Sequence, residues 1–285
     1  VCVPPEPDER HVGLLLEGAH LVFAQEGATH FVLVQQGGGA ASFARTLHLE
    51  RPHITTCVVD IPAGHAKAVE WVLAEIAAAV TYAEAQYDAS GRRRVPVLRL
   101  LPVVDHGGAR PTIPLPLSSA DVLLVTGGGK GIAAECAFAL AKETGVRLAL
   151  LGRAQPAEDA ELAANLARFT AGGITFRYIP TDVIDAQAVQ AAVRAVESSV
   201  GPVTAVLHGA GANVPQLLAS LDEAAFLRTL APKVQGARNV LAAVDPKRLR
   251  LFVAFGSIIA RAGFRGEADY AVANEWLTRL VERFQ

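Results

Sequence analysis

At 285 residues, with 51% hydrophobic content, the chain carries enough apolar material for one large domain or two smaller ones. Its 26 Lys and Arg nearly cancel 28 Asp and Glu, leaving a formal charge of −2, and no apolar run reaches the roughly 20 residues a bilayer span requires. Neither nucleic acid nor membrane is therefore expected as a partner. Cys2, Cys57 and Cys136 are far apart and odd in number, so neither a zinc site nor a disulfide framework is expected, and a reducing, cytoplasmic setting is the simpler expectation. The opening VCVPPEPDER is acidic and proline-rich, unlike a signal peptide. Methionine is absent even at position 1, as in a piece cut from a longer chain or a sequence from which modified methionines were dropped.

From Thr29 to Leu101, THFVLVQQ, ASFARTLHLE, TTCVVDIP and AKAVEWVLAEIAAAV read as strand, helix, strand, helix. YDASGRRRVPVLRLL closes this small α/β unit as a hairpin, with Arg92, Arg93 and Arg94 in a solvated turn rather than a phosphate site. QQGGGA (35–40) is the one glycine cluster here and reads as a turn, without the strand–loop–helix spacing of a phosphate site. Residues 102–120 hold four prolines and no helical period, which is linker composition. The expected division is a structural part, 1–115, without a cofactor site, and a second part, 116–285.

The second part alternates VLLVT (122–126), a helix over 132–143, RLALLG (147–152), a helix over 157–170, and ITFRYIP (174–180). A helix over 186–199, TAVLH (204–208), a helix through Val240, LFVAFGS (251–257) and a last helix from Glu267 follow. Strands this apolar, each followed by a helix, predict a doubly wound parallel sheet, an α/β Rossmann fold.

TGGGKGIAAE places Thr126, Gly127, Gly128, Gly129, Lys130, Gly131 and Ile132 between the first of these strands and its helix, where a pyrophosphate would meet a helix N-terminus. An ordinary strand-to-helix turn is the alternative. After the second strand, where an acidic residue would hold a ribose hydroxyl, stands Arg153, with Lys130 nearby. A guanidinium grips a phosphate, so the expected cofactor is NADPH; the alternative is an exposed arginine at a strand end. Asp182 and Val183 of PTDV are placed to meet the adenine, although a plain loop aspartate reads equally well. In LHGAGA, Gly209, Ala210 and Gly211 leave room for backbone to touch cofactor, while His208 reads as a structural histidine.

Ser257 follows the fifth strand, twelve residues separate it from Tyr270, and Asn274 lies one helical turn beyond. TGGGKG, PTDV, HGAG, Ser257 and Tyr270, in that order, resemble the short-chain dehydrogenase/reductase superfamily. Most members carry lysine where this chain has Asn274, and here Lys233 stands in the preceding helix, within APKVQGARN. That exchange is similar to the ketoreductase domains of polyketide and related fatty-acid synthases. The resemblance implies Tyr270 as proton donor, Lys233 as the cation that lowers its pKa, Ser257 as the hydrogen bond to the substrate carbonyl, and Asn274 as positioner of Lys233 or a relay water.

It implies further that the first half is a truncated Rossmann-like subdomain. The substrate would be a β-ketoacyl thioester carried by an acyl carrier protein, with neighbouring synthase domains such as dehydratase and acyltransferase. TGGGKGIAAECAFALA and GSIIARAGFRGEADYAVAN look closest to iterative synthases of the enediyne type, then to polyunsaturated-fatty-acid synthases. Markers used to infer hydroxyl stereochemistry are missing: Ala212, Asn213, Val214 and Ala262 occupy their places. Such domains continue with two more strands and a lid, so the catalytic part is expected to lack them beyond Gln285. A free-standing reductase of a small ketone and an inactive scaffold are the competing readings. Against them stand a first half without a cofactor loop, which a single-domain reductase has no use for, and a glycine loop and tyrosine that a scaffold commonly loses.

Overall fold

The computed structural model describes residues 1–27, 29–102 and 115–284, so the expected linker's residues 103–114 lie outside the described residues. In chain order the first elements are α1 (Val12–Phe23), β1 (His30–Gln35), α2 (Ala41–Glu50), β2 (Thr55–Asp60), α3 (Ala68–Ala78), β3 (Tyr82–Tyr87) and β4 (Arg93–Arg94). Then come β5 (Val122–Thr126), α4 (Gly131–Thr144), β6 (Arg147–Gly152), α5 (Ala160–Ala171), β7 (Phe176–Pro180) and α6 (Ala186–Ser199). The last are β8 (Ala205–His208), α7 (Glu223–Ala243), β9 (Leu251–Ala254), α8 (Ile259–Ala262) and α9 (Ala268–Glu282).

Packing groups these into two compact units: Val1–Leu100 with Asn213–Leu230 and Gly256–Gln285, and Leu101–Ala212 with Ala231–Phe255. This grouping cuts the chain differently from the 115/116 division expected from linker composition. The physical reason lies in α2, which packs along α8 and α9 and so draws residues 256–285 into the first unit.

The first unit has a sheet of order β1-β2-β3-β4, parallel except for the last pair. β2 is buried on both faces, as TTCVVD leads one to expect, and Phe43 of α2 packs between Phe31 of β1 and Phe226 of α7, with ring centroids 6.1 and 6.4 Å away. The hairpin turns at Asp88–Gly91 and leaves Arg92, Arg93 and Arg94 exposed, as expected; Arg93 lies in β4 opposite Tyr87 of β3, and its Nε donates to the buried Glu75 at 2.6 Å, which holds that carboxyl below its ordinary pKa. QQGGGA is the expected turn, and it joins β1 directly to α2.

The second unit holds a five-stranded, all-parallel sheet of order β7-β6-β5-β8-β9. Val122, Leu124, Ala149, Leu151 and Val206 pack on one face, Leu123, Val125, Leu148, Leu150 and Leu207 on the other, as β-strand alternation requires. At the N-terminal edge of this sheet, buried Asp121 accepts from Ser118, Thr204 Oγ1 (2.9 Å) and Arg250 Nη1 (3.1 Å), tying the starts of β5, β8 and β9 together. At the opposite, C-terminal edge the strand order reverses between β5 and β8.

Candidate active site

In the second unit Thr126 ends β5 and the glycine loop runs into α4. Gly127 (φ +66°) and Gly131 (φ +58°) lie in the left-handed region that other residues avoid. A Cβ on Gly127 would stand 3.1 Å from the Gly209 carbonyl oxygen, one on Gly128 2.7 Å from Val125, and one on Gly129 2.5 Å from Leu162. The loop therefore lies as close to its surroundings as bare backbone permits. Behind it, Lys130 stands at the N-cap of α4 without a side-chain cap hydrogen bond, and Gly131 and Ile132 are exposed, so the helix start has the open, uncapped form that suits an anion. That cradle fits a dinucleotide pyrophosphate.

A hydrogen-bond relay fixes this loop to the end of β8. Ala210 N–H donates to Thr126 Oγ1 at 3.1 Å, Thr126 Oγ1 lies 2.8 Å from His208 Nδ1, and His208 Nε2 lies 3.0 Å from the Lys233 carbonyl. Because a carbonyl only accepts, Nε2 carries the proton and Nδ1 accepts from the threonine hydroxyl. Burial pushes the His208 pKa down to about 4, so the ring is neutral, and its place in the relay is positional.

Lys233 itself is buried, 5% exposed, and its Nζ donates to the Phe255 carbonyl at 3.0 Å. Burial brings its pKa down to about 8. A Cβ on Gly211 would stand 3.2 Å from Lys233 Cε, so that glycine makes room for the lysine stem. One turn further along α7 a Cβ on Gly236 would meet Val183 at 2.7 Å, and Asn239 Nδ2 donates to the carbonyls of Val183 (2.9 Å) and Ile184 (3.0 Å). Lys233, Gly236 and Asn239 thus share one face of α7, which holds the loop carrying Asp182 and Val183. Gly236 and Asn239 were missed from the sequence, although their spacing of three and six residues from Lys233 was visible.

Of the remaining expected cofactor contacts, Arg153 is exposed just after β6. Lys130 Nζ is engaged by Asp159 Oδ2 at 2.6 Å, with its pKa raised by that hydrogen bond, while Asp159 also caps α5 through Leu162 N–H. Asp182 uses Oδ1 to accept from Ile184 N–H at 3.1 Å.

The first unit carries the other three expected residues. Ser257 precedes α8, its Oγ accepting from Ile259 N–H at 3.3 Å. Tyr270 and Asn274 share α9, where Asn274 Nδ2 donates to the Tyr270 carbonyl at 2.7 Å while its buried Oδ1 has no donor among the described residues. Buried Asp269 accepts from Thr229 Oγ1 at 2.6 Å and from Tyr270 N–H at 2.8 Å, and burial raises its pKa. Thr229 and Asp269 lie 40 residues apart, so this fastening of the start of α9 had no signal in the sequence.

Among the described residues no cluster of His, Cys, Asp or Glu could hold a metal ion, and no helix is long and apolar enough to cross a membrane. The family described as KR domain matches residues 122–285. Erythronolide synthase EryA3 of Saccharopolyspora erythraea is 33% identical over 235 residues, 82% of this chain but 7% of its own length. A phenolphthiocerol/phthiocerol polyketide synthase of Mycobacterium tuberculosis is 31% identical over 169 residues, 59% of this chain and 8% of its own length. The matched stretch is thus less than a tenth of either relative. A solved ketoreductase domain from the bacillaene assembly line shares the fold, with TM-score 0.78 at 21% identity over 96% of this chain and 67% of its own. A-type ketoreductases from a modular polyketide synthase superpose at TM-score 0.77 and 25% identity over 95% of this chain and 60% of theirs.

Proposed function

Because the chain belongs to the ketoreductase (KR) domain family, we propose that it reduces an acyl-carrier-protein-bound β-ketoacyl thioester to the β-hydroxyacyl thioester, with NADPH as the cofactor. The observation that carries this reading is the uncapped N-terminus of α4 behind a glycine cradle, in the unit that also holds the buried Lys233. When bound, the dinucleotide supplies the hydride that adds to the ketone carbon.

The remaining work falls to this chain. Thr126 to Ile132 receive the pyrophosphate, and Gly209 to Gly211 offer backbone to the cofactor. Asp182 and Val183 meet the adenine, and exposed Arg153 takes the 2′-phosphate, which favours NADPH over NADH. Lys130, already paired with Asp159, contributes through its backbone rather than its ammonium. Ser257 Oγ accepts from Ile259 N–H, which leaves the hydroxyl proton for the substrate carbonyl. Tyr270 donates the proton that the developing alkoxide needs, and Lys233 is the cation that eases this transfer. Asn274 Oδ1, buried and without a donor among the described residues, is suited to accept from an ammonium or a relay water.

We place the catalytic part at residues 116–285 and read 1–115 as a structural part without a cofactor of its own. TGGGKGIAAECAFALA and GSIIARAGFRGEADYAVAN support an iterative synthase of enediyne type, cytoplasmic and flanked by other synthase domains; the same reaction in a polyunsaturated-fatty-acid synthase is the alternative. NADPH oxidation with an acetoacetyl thioester tests the reading. Tyr270→Phe is expected to lower kcat by about a hundredfold or more while leaving the NADPH dissociation constant within about twofold. Turnover at the wild-type rate removes Tyr270 from the chemistry, and a folded protein that fails to bind NADPH leaves only the scaffold reading.

A further inference from the structure

The β1–α2 turn of the first unit has the build of a phosphate loop, yet its amides are taken by this chain's own side chains. Gly37, Gly38 and Gly39 have φ of +79°, +88° and +128°, so three successive residues adopt backbone that favours glycine. Gly37 N–H donates to Asp60 Oδ1 at 2.6 Å and Ala40 N–H to Gln35 Oε1 at 3.1 Å. Ala40, at the N-cap of α2, has no side chain to satisfy the helix. The cap comes instead from α9: Gly39 N–H donates to Glu275 Oε1 at 3.0 Å and Ser42 N–H to Glu275 Oε2 at 2.9 Å. The next residue closes the contact from the other side, as the Trp276 indole N–H donates to the Gly39 carbonyl. Both side chains are buried, Glu275 at 9% and Trp276 at 4% exposure. Above the loop lies the Arg279 guanidinium, and a Cβ on Gly38 would stand 2.9 Å from its Nη1.

Nor does α2 hold α9 by its N-terminus alone. Arg45 Nη1 donates to the Ala260 carbonyl at 3.2 Å, and Thr46 Oγ1 accepts from Phe264 N–H at 3.3 Å. At the far end of α2, buried Glu50 accepts from Gly266 N–H at 3.0 Å and Leu218 N–H at 2.8 Å. The segment from Ala260 to Gly266, which leads into α9, is thus fastened to α2 at three points.

We infer that Glu275 is a positioning residue: its carboxylate, set where a strand–glycine loop–helix would receive an anionic ligand, docks α9 on α2 and so fixes Tyr270 and Asn274 for reaction. Glu275 and Trp276 directly follow Asn274, so a shift of the carboxylate moves the helix that carries Tyr270. Helix N-terminal amides attract the charge, and both carboxylate oxygens are used, which fixes orientation as well as distance. The catalytic half of this inference rests on the reductase reading; the docking half does not.

The test compares wild type, Glu275→Ala and Glu275→Gln by hydrogen exchange and by NADPH oxidation with acetoacetyl thioester, in acetate and in chloride of equal ionic strength. Acetate is the fragment that the alanine variant has lost. In Glu275→Ala, exchange is expected to quicken over residues 36–44 and 268–280 and not over 122–152. Its kcat is expected to fall by about tenfold or more with KM within about twofold, since misplacement of a reacting group costs rate before binding. Acetate restores both readouts and chloride neither, while Glu275→Gln, which keeps one acceptor oxygen, falls between. Wild-type exchange and kcat in Glu275→Ala overturn the inference, as does faster exchange throughout the chain that acetate does not relieve. If wild type itself fails to oxidise NADPH, the reductase reading falls, and the docking stands or falls on exchange and acetate alone.

Discussion

His208 and Lys233 both sit in the buried end of the second unit, and burial displaces both toward their neutral forms, to about 4 and about 8. An unfolded chain would bind the His208 proton near pH 6.5, so between pH 6.5 and 4 it binds more protons than the folded one. The neutral ring's stabilisation is therefore present above pH 6.5 and is lost as pH falls through 4, to the extent of about 3 kcal/mol. Urea unfolding across that window is expected to show this loss, and His208→Asn to show a flatter profile. For Lys233 the window lies between about 8 and the ordinary 10.5, where the unfolded chain again holds more protons. Stability from this group therefore rises with pH there, and Lys233→Met abolishes the rise. Turnover is expected to fall above about pH 8, because the same deprotonation removes the cation. His208 was legible as structural because a histidine ending an apolar strand has few other uses. Its two partners, 82 and 25 residues away, were not legible.

At the scale of elements, α7 meets the β7 loop through a glycine. Gly236→Ala would drive a Cβ to 2.7 Å from Val183, and is expected to cost about 1–3 kcal/mol in denaturant unfolding. Val183→Ala in the same chain should recover part of that loss, a coupling that a double-mutant cycle reads directly. The alternation of strands and helices in the second unit was plain in the sequence because the central strands β5, β6 and β8 are apolar on both faces and turn residues such as glycine and aspartate separate them from the helices. β4 is two residues long, too short to show any period. α1 has its buried Val12, Leu15, Leu16 and Ala19 at helical spacing, yet it lies ahead of Thr29, where the strand and helix alternation was first recognised. The glycine turn before α2 was dismissed on spacing. What distinguishes it from the turn before α4 is a carboxylate 236 residues away, which no local pattern reports.

For the whole molecule, the match takes up less than a tenth of each long synthase relative. Under the proposed function, a β-ketoacyl group on a carrier protein is expected to give a kcat/KM at least about tenfold above that of the same acyl group on a free small thiol, because tethering raises effective concentration. Equal values would argue for a diffusible substrate. The Rossmann architecture of the second unit could be written down from sequence. The allegiance of α9 to the first unit could not, since linker composition marks where the chain is loose and says nothing of where it packs. Anyone recombining reductase regions between synthases meets this directly. A crossover at residues 115/116 would deliver Glu275 to a foreign glycine turn and leave Gly39 and Ser42 facing a foreign helix. The heritable unit is therefore the pair α2 with α9, and a graft that moves one should carry the other.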